Sequence, residues 1–251
     1  MCRLFAVLSE SPVAVDRAFD ALKRQAVEHK DGWGIARFDD GEPTVEVNTV
    51  AAHACTRFAE LGSSLTTRSL LTHIRLASVG AVTPANAHPF TADGLAFMHN
   101  GTLRHFADHR AKFDELLAPG VRARLRGETD SERCFALFLT TLGATPQTVS
   151  LPQMMSALAT VVRTAEKLCD DPADATKSSM NFMVSNGRWL VATRRGRTLF
   201  HTHWRGARYL ASEPLWPDSP WHEVTDDTMV VVEPDLTLRE VQLRDVSPLP
   251  R

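Results

Sequence analysis

The 251-residue chain carries 28 basic and 30 acidic side chains, a formal charge of −2, with 43% hydrophobic and 23% charged residues. That balance excludes a disordered or fibrous chain, and it leaves no net basic field with which to hold nucleic acid or an anionic membrane. No apolar run approaches the roughly 18 residues that span a bilayer, and Cys2, Cys55, Cys134 and Cys169 form no C-x-x-C pair, so the expected setting is cytoplasmic and reducing.

Cys2 to Leu8 reads as a buried strand, too short to serve as a signal peptide. From Pro12 to Ala26 the apolar positions Val15, Ala18, Phe19, Leu22 and Ala26 follow the helical period, with Ser11 placed to cap the start. Trp33 to Phe38 and Thr44 to Val47 read as paired strands turning at Asp39, Asp40 and Gly41, followed by a helix over Ala51 to Leu61 and a strand over Ser69 to Leu76. Leu95 to His99 is a further strand, expected to break at Asn100-Gly101. Two amphipathic helices follow, Ser131 to Leu142 and Leu151 to Leu168. The period then changes to two. Met180 to Ser185, Asn186-Gly187 and Trp189 to Thr193 form a hairpin signal, because Asn-Gly supplies the positive φ angles of a tight turn. Leu199 to Trp204, Ala207 to Ser212, Thr228 to Val232 and Thr237 to Val241 continue the strands. Strands, central helices and strands again predict an α+β fold with antiparallel sheets, and the lack of a linker or repeat predicts one domain over residues 1–251.

Cys2 draws attention because methionine aminopeptidase acts when the second residue is small. Removal of Met1 would leave a thiol, with pKa near 8.5, on the same residue as an α-amine, with pKa near 7.7–8.0, so the nucleophile would carry its own general base. Taken alone, Cys2 reads more readily as a small hydrophobe opening a buried strand. Polar clusters stand at the ends of other expected elements: His29-Lys30-Asp31-Gly32-Trp33-Gly34, Thr72-His73-Ile74-Arg75, Ala87-His88-Pro89-Phe90, His99-Asn100-Gly101 and Gly127-Glu128-Thr129-Asp130-Ser131-Glu132. Element ends are where sites are usually built.

The ordered blocks M-C-R, H-K-D-G-W-G-I, H-I-R-x-A-x-x-G, N-x-H-P-F, H-N-G-x-L and G-E-T-D-S-E, over residues 1 to about 135, resemble the class-II glutamine amidotransferases of the N-terminal-nucleophile (Ntn) type, most closely the compact YafJ-like group. The resemblance implies a four-layer αββα sandwich of two antiparallel sheets flanked by helices. It implies that Cys2 attacks the side-chain amide of glutamine, Arg75 binds the substrate α-carboxylate and Asp130 its α-ammonium. Asn100 and Gly101 would form the oxyanion hole. Where larger relatives carry a threonine-histidine pair after the arginine, this chain reads Ala77-Ser78-Val79-Gly80, so Ser78 offers the one hydroxyl for a substrate contact. Trp33, His73, His88 and His99 are expected to support the site.

Other readings of the same residues stay open at the level of sequence. Asn100-Gly101 could be only a turn, Asp130 a helix cap and Arg75 one half of an ion pair on a sheet face. His105 and His109 at i, i+4, and His201 and His203 on one strand face, lack the H-E-x-x-H or cysteine pairs of a metal site. No phosphate loop or dinucleotide fingerprint is present, so no metal or organic cofactor is expected. Arg122, Arg124 and Arg126, with Arg194, Arg195 and Arg197, read as charges on solvated turns. The expected substrate is a small molecule, glutamine or a γ-glutamyl amide. Either a separate synthase chain receives the ammonia, or the protein is a free-standing γ-glutamyl peptide hydrolase; a non-catalytic γ-glutamyl-binding subunit is the further alternative.

Overall fold

In the computed structural model, which describes residues 2–39, 42–143 and 149–248, two antiparallel sheets lie face to face between two helical layers. The seven-stranded sheet is built from β1 (Arg3–Ala14), β2 (Trp33–Phe38), β3 (Thr44–Asn48), β4 (Thr66–Ile74), β9 (Phe200–Trp204), β10 (Ala207–Ala211) and β11 (His222–Glu223), in the order β11-β9-β10-β1-β4-β2-β3. The six-stranded sheet takes β5 (Phe90–Ala92), β6 (Leu95–Thr102), β7 (Ser179–Ser185), β8 (Leu190–Arg194), β12 (Thr228–Val232) and β13 (Leu238–Gln242), in the order β13-β12-β8-β7-β6-β5. Helices α1 (Asp16–Gln25) and α2 (Thr56–Ser64) cover the first sheet; α3 (Phe106–Leu116), the short α4 (Pro119–Arg122), α5 (Asp130–Leu142) and α6 (Leu151–Cys169) cover the second. This is the αββα sandwich expected from the sequence. Among the described residues no helix is long and apolar enough to cross a membrane.

Strand periodicity assigns side chains to layers. On β1, Leu4, Ala6 and Leu8 enter the core between the sheets, while Phe5 and Val7 pack beneath α1 and α2. On β6, Ala96 and Met98 face the other sheet, while Leu95 and Phe97 lie under α5 and α6. A central strand is therefore apolar on both faces, which is why β1 and β12 read as continuous hydrophobic runs instead of alternating ones.

Four local expectations are corrected. Residues 9–14 continue β1 beyond a register shift between Leu8 and Val13, and Val13 and Ala14 pair with Thr67 and Thr66 of β4. Helix α1 therefore starts only at Asp16, with Val15 and not Ser11 at its N-cap; the free ladder on β4 outweighs the helical period, and Pro12, which has no N–H, sits in the unpaired bulge. The helix expected over residues 51–61 is a turn of 3₁₀ helix, Ala52–Ala54, followed by α2. Strand β6 does not break at Asn100-Gly101 but runs to Thr102, with Asn100 opposite Asn181 and Gly101 opposite Met180 on β7. His105 precedes α3 in the left-handed region (φ 51°), so it does not share a helical face with His109. The Asn186-Gly187 hairpin forms as expected, with Gly187 at φ 81° and the Asn186 side chain accepting from Arg188 and Trp189 N–H. The expected turn at Asp40-Gly41 lies outside the described residues.

Candidate active site

One end of the sandwich gathers the start of β1, the end of β4, the end of β6 and the N-terminus of α5. Antiparallel pairing of Arg3 with Ile74 sets Cys2 beside the chain leaving β4, and the Cys2 Sγ lies 3.4 Å from both N and O of Leu76. Because Leu71 faces the inter-sheet core, the alternation of β4 turns His73 inward as well and carries Arg75 toward the same end. A small cleft there, of about 20 Å³, is lined by Cys2, His73, Arg75, Ser78, His88, His99, Gly101 and Asp130, among others. Eight of the ten residues singled out from the sequence thus meet in one place.

Two do not line it. Trp33 is buried on the far side of its sheet against Phe58, ring centroids 5.1 Å apart, and forms no part of the cleft wall. Asn100 is buried, with its Nδ2 3.4 Å from the Ser212 hydroxyl, which in turn accepts from Leu4 N–H.

Two opposite charges in the cleft lack ionic partners among the described residues. Arg75 is only 4% exposed, yet its guanidinium donates to carbonyls alone: Ala81 at 3.1 Å, Val79 at 3.3 Å and Gly80 at 3.4 Å. Asp130 is 3% exposed and accepts from Leu103 N–H at 2.9 Å through one oxygen and from Ser131 N–H at 2.8 Å through the other. Neither forms an ion pair among the described residues. A buried charge satisfied only by dipoles is a ready site for an opposite charge brought by a ligand.

Burial governs titration here. It raises the Cys2 thiol above its ordinary value, opposed by the hydrogen bond from Leu76 and the positive charge of Arg75 and aided by Asp130. Burial, helped by Arg75, lowers His73 to about 3 and holds His88 well below the usual imidazole range. The two rings are tilted against each other with centroids 4.3 Å apart, and His88 packs on Phe90 at 4.6 Å. Cys134 and Cys169 lie in the helical layer, and burial raises both thiols, Cys169 to about 12, which leaves them inert packing groups. Among the described residues no group of three or more His, Cys, Asp or Glu side chains is arranged to hold a metal ion.

The motif residues without an expected role form the scaffold. Asp31 accepts from Ala77 N–H at 2.7 Å and Gly32 O accepts from Arg75 N–H at 2.9 Å, so the D-G-W-G block braces the loop that follows Arg75. A Cβ on Gly34 would lie 2.1 Å from His88 O, so only glycine lets the His88 segment close against β2. Asn86 donates to Ala81 O and accepts from Glu128 N–H, and Glu128 accepts from Ala81 N–H; together they join the loops that carry Arg75, His88 and Asp130. Thr102 donates to Gly101 O at 2.8 Å, so it accepts from the Ser78 hydroxyl at 2.9 Å. The signal for Asn86, Asp31 and Glu128 was their place inside the quoted motifs; Thr102 and Ser212 carried none.

A thiol, an uncompensated guanidinium and an uncompensated carboxylate in one cleft can hold a zwitterionic amino acid and attack its side chain. Residues 1–209 match the family model described as glutamine amidotransferases class-II. The chain is 27% identical over 227 residues to the "Probable glutamine amidotransferase DUG3" of Saccharomyces cerevisiae, covering 77% of this chain and 63% of that one. It is 27% identical over 205 residues to YafJ of Escherichia coli K12, covering 76% and 72%. Among solved structures, a glutamine aminotransferase class-II domain protein from Silicibacter pomeroyi superposes with a TM-score of 0.72 at 22% identity, over 96% of this chain and 99% of that one. The matched stretch spans 38%, 63% and 62% of the length of three curated relatives, so those proteins extend beyond what this chain matches.

Proposed function

The chain belongs to the class-II glutamine amidotransferases, and on that premise we propose that it hydrolyses the side-chain amide of glutamine, or of a related γ-glutamyl compound, through a thioester on Cys2. Once Met1 is removed, the free α-amine of Cys2 takes the thiol proton, and the sulfur attacks the amide carbon. The carbonyl π electrons move to oxygen, where the Gly101 N–H and the Asn100 side-chain amide receive the negative charge. In other enzymes a donor so placed is worth about 3–4 kcal/mol in the transition state. Collapse expels the amide nitrogen, which takes the proton held by the α-ammonium and leaves as ammonia or an amine. Water, deprotonated by the same amine, then attacks the thioester, releasing glutamate and restoring the thiol.

Arg75 binds the substrate carboxylate, whose two oxygens suit a guanidinium fork better than the three loop carbonyls it now touches. Asp130 binds the α-ammonium and Ser78 stands at the mouth of the cleft. The observation that carries this reading is the pair of buried, unmatched opposite charges beside the thiol, which fits an amino-acid zwitterion and little else. Residues 210–248 contribute β12 and β13 to the six-stranded sheet, which supports reading residues 1–251 as one amidotransferase domain.

The test is intact mass followed by alkylation with a glutamine-mimicking electrophile. A processed protein that takes one label on Cys2, with glutaminase activity abolished in Cys2→Ala, is the expected result. Retention of Met1 with no label on folded protein, or activity that survives Cys2→Ala, would overturn it.

A further inference from the structure

His99 lies on the opposite face of β6 from Asn100 and lines the cleft beside Asp130 and Ser131, with both of its ring nitrogens engaged. Its Nε2 is 2.9 Å from Ser179 O, and its Nδ1 is 2.9 Å from the Ser131 hydroxyl. That hydroxyl is also 3.3 Å from the Asp130 oxygen that accepts from Ser131 N–H. Ser131 has a single hydroxyl proton and two places to send it.

The donors and acceptors settle which. A carbonyl can only accept, so Nε2 carries the ring proton toward Ser179. In the neutral ring Nδ1 is then an acceptor, and the Ser131 hydroxyl donates to it at the shorter of its two contacts. Burial favours this neutral form, against the pull of Asp130. The carboxylate of Asp130 therefore holds two backbone N–H bonds, from Leu103 and Ser131, and keeps further lone pairs free. Without an acceptor at position 99, the hydroxyl would swing to Asp130 and occupy one of them.

We infer that His99, acting through Ser131, keeps an oxygen lone pair of Asp130 open for the substrate α-ammonium, and thereby sets the selectivity for an amino-acid amide over the same amide without its amino group. The inference rests on the reading that glutamine is hydrolysed at Cys2. It makes His99 a positioning residue and Ser131 the movable part.

The experiment compares kcat/KM for L-glutamine and for glutaramate, its des-amino analogue, in the processed protein. His99→Phe keeps a ring against Phe182 (now 4.7 Å from the imidazole) but offers no acceptor. The expected loss of preference for glutamine is roughly ten- to hundredfold, the scale of a hydrogen bond to a charged group, appearing in KM for glutamine with glutaramate turnover little changed. Adding Ser131→Ala removes the hydroxyl and should return the preference to within about threefold of wild type. A fall for both substrates alike in His99→Phe, or no recovery in the double variant, would overturn the inference. Should His99→Phe lose its near-ultraviolet circular dichroism, Ser131→Ala alone decides: retained preference supports it, and a tenfold or greater loss refutes it, because the hydroxyl would then be a working partner of Asp130. Wild-type protein that hydrolyses neither amide overturns the parent reading instead.

Discussion

His73 should make the fold sensitive to mild acid by an amount that can be worked out in advance. Its ring faces the interior between the sheets, opposite Leu4 in the β1–β4 ladder, and burial followed by the charge of Arg75 lowers its pKa to about 3. In the unfolded chain the same imidazole titrates near 6.5. Between these values the unfolded state binds a proton that the folded state refuses, so stability rises with pH across that window and falls as the solution is acidified. At pH 5, about 1.5 pH units below the unfolded value, the loss relative to pH 7 is about 2 kcal/mol, at about 1.4 kcal/mol per unit. That corresponds to about 4–8 °C in Tm for a chain of this size. His88 and His99 are depressed in the same direction and add to the slope. The assay is urea unfolding of wild type and His73→Leu at pH 7, 6 and 5. The substitution alters packing at every pH, so the informative quantity is the slope, which should be shallower in the variant by about 2 kcal/mol over that range. Equal slopes in the two proteins, or a His73 imidazole resonance titrating near 6.5, would refute the argument.

Gly101→Ala should destabilise the protein by about 3 kcal/mol or more, because the new Cβ would stand 1.9 Å from the Ser179 carbonyl oxygen and 2.5 Å from His99 Nε2; an unchanged Tm would show that β6 and β7 can part without penalty. Arg75→Met should raise KM for glutamine by about a hundredfold while leaving the fold intact, the scale expected for losing a charge-assisted carboxylate contact; steady-state kinetics with an unaltered KM would remove Arg75 from the substrate. Thr129 accepts from Glu132 N–H at 3.2 Å as the N-cap of α5, so Thr129→Ala should lower stability by about 1 kcal/mol and Thr129→Ser by little, measured by denaturant midpoint.

The linear order of short motifs was enough to predict the family, the αββα architecture and eight of the residues that meet in the cleft, because a chain that must place a thiol, a guanidinium and a carboxylate together fixes those residue types at element ends. The strands were legible for a related reason: burial on both faces forces apolar runs such as those of β1 and β12. What sequence could not decide depends on partners distant along the chain. Asn100-Gly101 reads as a turn until β7 supplies the ladder that holds it straight. The helical period after Pro12 loses to pairing with Thr66 and Thr67 at the start of β4. Trp33 belongs to a site motif yet packs away from the cleft, because alternation on β2 turns it toward Phe58. Which hydrogen bonds reach Asp130 depends on Ser131, His99 and Ser179, on three elements joined only in the folded protein. Residue types and their order are local properties of the chain; strand pairing, burial and the direction of a hydrogen bond are set by what tertiary contact brings to the other side.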